Sequence, residues 1–130
     1  MSSPARVALA YAGATAFGSW VAVRHDLHSE PFGRDVLPLP AARTVALGLG
    51  AGTAIPAVMA LVAVVAAWRA PDDRRAARAC VVVGTTSVAG TLAEPATWRR
   101  RAFGPDVASS AVLNLAASLA LVAHGRRHLA

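Results

Sequence analysis

The stretch TVALGLGAGTAIPAVMALVAVVAAW, from Thr44 to Trp68, carries no charge and decides the reading of this chain. As a helix rising about 1.5 Å per residue, it is longer than the ~30 Å hydrocarbon core of a bilayer. Outward from it lie three more uncharged apolar stretches: Val7–Val23, Ala79–Ala93 and Val107–Ala123, each bounded by arginines, turns or prolines. With caps added, each reaches the ~20 residues that cross a membrane. Lipid leaves backbone polar groups unsatisfied, so spanning segments are almost forced to be helical. The expectation is an all-α integral membrane four-helix bundle, up-down-up-down. It forms a single domain over 1–130, with helices over about 4–27, 40–70, 73–94 and 106–124, in a multi-pass protein of the cell membrane.

The punctuation agrees with this division. Ser3-Pro4 reads as an N-cap with proline at the first helical position, and Pro105-Asp106 opens the last helix in a related way. Pro71-Asp72-Asp73 forms a tight turn whose aspartates suit the positive end of the helix that follows. The last helix closes near His124-Gly125, with Arg126, Arg127 and His128 on its negative end. The second helix, over 40–70, must tilt, protrude or bend, and Pro56 is its bend. Gly48 and Gly52 read as a GxxxG packing pair on that helix.

Composition supports lipid as the solvent. Hydrophobic residues make up 55% of the chain and aromatics only 5%, so the apolar content is Ala, Val and Leu. Mean hydropathy is +0.48. A soluble Ala-rich bundle is the alternative, but its helices need a charged face, and none of the four stretches has one. The net charge is +6, and all thirteen basic residues are arginines clustered where the apolar runs stop. They read as anchors and contacts to anionic headgroups. A nucleic-acid partner is excluded, because no basic helix face or interleaved aromatics are present. The bilayer is the expected partner, with a hydrophobic small molecule or a membrane protein beside it. Arginines count seven on the side of the termini (6, 69, 74, 75, 78, 126, 127) and six opposite (24, 34, 43, 99, 100, 101), so orientation is not specified. Cys80 reads as a small buried thiol, with no acid or His within a turn. Cleavage of the first stretch as a signal peptide fits less well, since the run continues to Val23 past either Ala-rich site.

Chemistry gathers on one side. Arg24-His25-Asp26-Leu27-His28-Ser29-Glu30 leaves the first helix there, Glu94 ends the third, and Trp98-Arg99-Arg100-Arg101 follows. A carboxylate beside an apolar run is costly unless paired, which makes Glu94 the sharpest candidate; pairing with Arg99 or Arg100 is the plainer role. Glu94 with His25 or His28 forms the expected acid–base pair. Asp26 orients the histidine, and Trp98, Arg99, Arg100 and Asn114 contact a bound molecule. The His25/His28 spacing is compatible with a metal ligand pair, but HxxH is common, and neither a metal nor a cofactor is assigned. Three polar seams point toward this rim: Tyr11, Thr15, Ser19, Ala22 and Asp26; Ser87, Thr91, Glu94 and Trp98; Ser110, Asn114 and Ser118. Ordinary hydroxyl packing between membrane helices explains the same pattern. No nucleophile elbow, P-loop, dinucleotide fingerprint, CxxC or HExxH occurs. The expectation is a polar rim pocket for a lipid-like or apolar small molecule, bound or converted by acid–base chemistry. The alternative is an accessory subunit docking through small-residue faces. Inward seams favour the first reading and outward seams the second.

Overall fold

A computed structural model describes residues 3–98 and 104–130, and all regular elements there are helical. They are α1 (Ser3–Arg24), α2 (Ala41–Ala46), α3 (Ala57–Arg69), α4 (Arg74–Ala93), α5 (Pro95–Trp98) and α6 (Pro105–Leu129). A short 3-10 turn, Pro31–Gly33, interrupts the loop after α1.

The helix ends follow local chemistry and correct the expected boundaries. α1 stops at Arg24 rather than near 27, because Asp26 takes a left-handed conformation at φ 47°. The Asp26 and Leu27 amides then donate back to the Val23 and Ala22 carbonyls, closing a Schellman motif with Leu27 buried. The Asp73 carboxylate caps α4 by accepting from the Arg75 amide at 2.8 Å. Glu94 ends α4 in an extended conformation (ψ 125°), as a residue before proline prefers. α6 runs through Gly125 to Leu129, longer than expected, because Gly125 is a packing glycine and not a stop. A Cβ there would lie 2.5 Å from the Ala77 carbonyl oxygen, so α4 and α6 meet backbone to side there.

The largest correction concerns the second apolar stretch. The expected helix over 40–70 is two helices, α2 and α3, separated by irregular backbone from 47 to 56. Gly48, Gly50 and Gly52 all adopt positive φ (74°, 77° and 49°), Ala51 and Ala54 pair as a β-bridge, and Pro56 precedes α3. Three left-handed glycines and a residue without an N–H cannot continue a helical ladder. Gly48 and Gly52 are therefore turn residues and do not pack helix against helix. Two helices, α4 and α6, are long and apolar enough to cross a membrane by length and composition. Of the other expected spans, α3 has 13 residues. α1 has 22 residues and is not one of these two.

α1 and α4 each pack against both α3 and α6. Neighbours run antiparallel: the Arg74 guanidinium donates to the Leu129 carbonyl at 3.1 Å, and His25 meets Asp106 at 2.7 Å. The core divides into two apolar clusters, one around Val7, Tyr11, Ala67, Cys80 and Leu121, the other around Val21, Leu27, Ala54 and Val107. Between them lies a polar layer of Gly18, Thr53, Ser87, Ser110 and Asn114, all buried.

Candidate functional site

The irregular 47–56 segment must place its peptide groups against partners, and the polar layer supplies some of them. The Asn114 amide donates to the Thr53 carbonyl at 2.6 Å, and the Thr53 hydroxyl donates to the Gly18 carbonyl at 3.3 Å. Gly18 permits this approach, since a Cβ there would lie 2.6 Å from the Thr53 oxygen. The Tyr11 and Ser87 hydroxyls share a hydrogen bond at 2.5 Å. Three helices are thus pinned around the break.

Between the break and α4 lies a cavity of about 200 Å³. Leu49, Ile55, Pro56 and Met59 form its apolar wall. Ser29, Thr53, Thr86, Ser87, Thr91 and Glu94 supply polar atoms, and Gly50, Gly52, Ala54 and Gly90 complete the lining. Leu49, Thr86 and Gly90 are exposed, so the cavity opens on the outer surface between α4 and the break.

Glu94 stands at one end of this cavity and is 7% exposed. The Ser29 hydroxyl donates to its Oε1 at 3.2 Å and the Glu30 amide donates to Oε2 at 3.1 Å. Burial pushes its pKa above the usual glutamate value; the two hydrogen bonds pull it down and the Glu30 charge adds a smaller upward push. Glu94 also lines a second cavity of about 100 Å³, shared with Asp26, Leu27, His28, Glu30, Pro95 and Ala96. The carboxyl group is therefore the partition between an apolar pocket and a polar vestibule.

The structure gathers part of the expected constellation. His28 lies in the vestibule with Glu94, its Nε2 3.6 Å from Asp26 Oδ2 and its Nδ1 3.6 Å from Asp35 Oδ2. Asp26 accepts from the Ala41 amide at 2.8 Å, which holds α2 against the end of α1. That bond, with a smaller contribution from His28, lowers its pKa below the usual aspartate value against a small opposing effect of burial. His25 turns away: its Nε2 bonds Asp106 at 2.7 Å, with Arg24 Nε 3.9 Å from the same oxygen, and it lines neither cavity. Asn114 is fully buried, but it braces the break and does not line the pocket. Trp98 is exposed, its indole N–H donating to the Leu92 carbonyl at 2.8 Å. Arg99, Arg100 and Arg101 lie outside the described residues. Among the described residues no three His, Cys, Asp or Glu side chains come together as a metal site, and His25 and His28 face different carboxylates.

Sequence reasoning did not foresee Ser29, Thr53 or the 47–56 backbone as lining. The signal was present in LGLGAGTAIP, where three alternating glycines precede a proline. It also missed His124, fully buried with its Nε2 3.0 Å from the Ala67 carbonyl, since the sequence closes the last helix near His124-Gly125. Comparison with protein-family models, curated proteins and solved structures finds no match to this chain.

Proposed function

We propose that this chain is a four-span membrane protein that binds a small, apolar or lipid-like molecule in the cavity between the broken second span and α4, with Glu94 at its polar end. Outward-facing apolar surface supports the membrane setting. Only 33% of the apolar window of α4 and 44% of that of α6 is buried within the protein. Leu9, Val58, Leu61, Val82, Val112 and Leu119 are each more than half exposed, outward-facing apolar side chains of the kind that lipid covers. The observation that carries the binding reading is the break itself. Non-helical backbone at membrane depth is tolerated where it is buried in protein or lines a cavity, and here it does line one.

The inward direction of the polar seams supports a pocket over a docking face. Tyr11, Ser87, Thr91, Ser110, Asn114 and Ser118 are buried, while Thr15 and Ser19 donate to carbonyls of their own helix. An accessory subunit would carry these groups outward. Conversion by acid–base chemistry is the narrower form of the proposal, with Glu94 and His28 on the shared vestibule as the pair and His25 outside it.

Gly90 provides the test. It lines the cavity, and a Cβ there meets nothing within 4 Å, so a larger side chain fills the pocket without disturbing the fold. Fluorine NMR of para-fluorobenzyl alcohol with the detergent-purified protein should show a bound resonance that Gly90→Leu abolishes. A resonance identical in both proteins would remove the pocket as the binding site.

A further inference from the structure

We propose that the Glu94 pocket takes a small monovalent organic cation with an apolar body, and that this cation and a proton exclude one another on the Glu94 carboxylate. The inference rests on the binding reading above and narrows it to a ligand class. Among the described residues, Glu94 is the single ionisable side chain lining the larger cavity. The cavity's hydroxyls are largely committed: Ser29 donates to Glu94, Thr53 to the Gly18 carbonyl, and Ser87 is engaged with Tyr11. Among the described residues no arginine or histidine lies within ion-pair distance of Glu94.

Among the described residues, the charged groups around Glu94 make an acidic surrounding. The loop after α1 brings Glu30, whose amide bonds Oε2, and Asp26, while His28 on the vestibule is flanked by Asp26 and Asp35. α1 places no titratable side chain in the lining of the larger cavity, its Tyr11 being bonded to Ser87, and α5 presents Pro95, Ala96 and Thr97, which carry no charge. A carboxylate or phosphate ligand would meet repulsion from each acid. A divalent metal would need a denser ligand set than the described residues provide. A neutral ligand leaves a buried carboxylate either protonated or uncompensated, and the second state is costly. A monovalent cation compensates the charge while its apolar body rests on Leu49, Ile55, Pro56 and Met59. At about 200 Å³, the cavity is smaller than the ~300–1,000 Å³ of drug-sized sites, so the ligand is small. The exchange balances simply: the protonated carboxyl group releases one proton to water, the cation binds the resulting carboxylate, and no covalent bond of the ligand forms or breaks.

Calorimetry on the full chain in detergent tests this with two probes of one shape. Benzyltrimethylammonium carries a permanent charge, and neopentylbenzene is its neutral isostere. The cation should bind with release of about one proton, weakening about tenfold per pH unit below the titration of Glu94. Glu94→Gln should lose the cation and keep the neutral probe, and Gly90→Leu should lose both. Neutral-probe binding with no cation binding at high pH overturns the cation proposal and leaves the pocket reading standing. Cation affinity that ignores both pH and Glu94→Gln also overturns it. If neither probe binds, the pocket reading falls as well.

Discussion

At the scale of single residues, Glu94 and Asp26 leave opposite marks on stability. The folded state raises the pKa of Glu94 above its ordinary 4.5, so the neutral form is favoured by folding. Its contribution is therefore complete below pH 4.5 and is lost as pH rises through the raised value, about 1.4 kcal/mol per unit of displacement. Asp26 has a lowered pKa, so its contribution is complete above its ordinary 3.8 and is lost as pH falls below that. Denaturation of the detergent-solubilised protein should show declining stability as pH rises from 4.5, and Glu94→Gln should flatten that decline while leaving the acid limb to Asp26 and Asp106. A decline unchanged in Glu94→Gln would mean that another group titrates there. The sequence pointed to Glu94 because an acid at the end of an apolar run needs an explanation. It also placed Glu94 within reach of the His25–Glu30 segment, since antiparallel first and third helices end on one side, but a loop without periodicity does not single out the Ser29 hydroxyl and the Glu30 amide as the partners.

At the scale of elements, the broken second stretch is where apolar periodicity misled. Hydrophobicity and length both supported one helix over 40–70, and only the φ demands of three glycines and the missing N–H of Pro56 opposed it. Glycine substitutions separate these roles. At Gly50, φ is 77° and an added Cβ would stand 2.5 Å from the Ala54 carbonyl oxygen. Gly50→Ala should cost roughly 1–3 kcal/mol. Gly90→Ala lies in a helix beside open space and should gain up to about 1 kcal/mol from helix propensity. Gly125→Ala, against the Ala77 backbone, should force α4 and α6 apart at about 1–3 kcal/mol. Asn114→Leu strips the buried Thr53 carbonyl of its donor, a loss of about 1–3 kcal/mol. These values are read from chemical denaturation in detergent. Equal effects at Gly50 and Gly90 would contradict the glycine turn.

At the scale of the whole molecule, the prediction is topological. α2 begins at the Asp26 end of α1, held there by the Ala41 amide, while α3 packs along α1 and α4. In the proposed membrane arrangement, the path from α2 through the break to α3 counts as one crossing. α1, that composite span, α4 and α6 make an even number, with the antiparallel contacts Arg74–Leu129 and His25–Asp106 marking opposite ends. Both ends carry arginines in nearly equal number, so charge does not fix which end faces inward, but parity does fix which positions share a side. In a Cys80→Ala background, single cysteines at Ser3, Asp72 and Ala130 should react with an impermeant thiol reagent from one side of the membrane. Cysteines at Gly33 and Gly104 should react from the other. Ser3 and Ala130 on opposite sides would break the even-span arrangement. Gly50 reacting with Asp72, and Gly33 staying opposite, would instead show that the break reaches the Asp72 end and that the Glu94 cavity opens there.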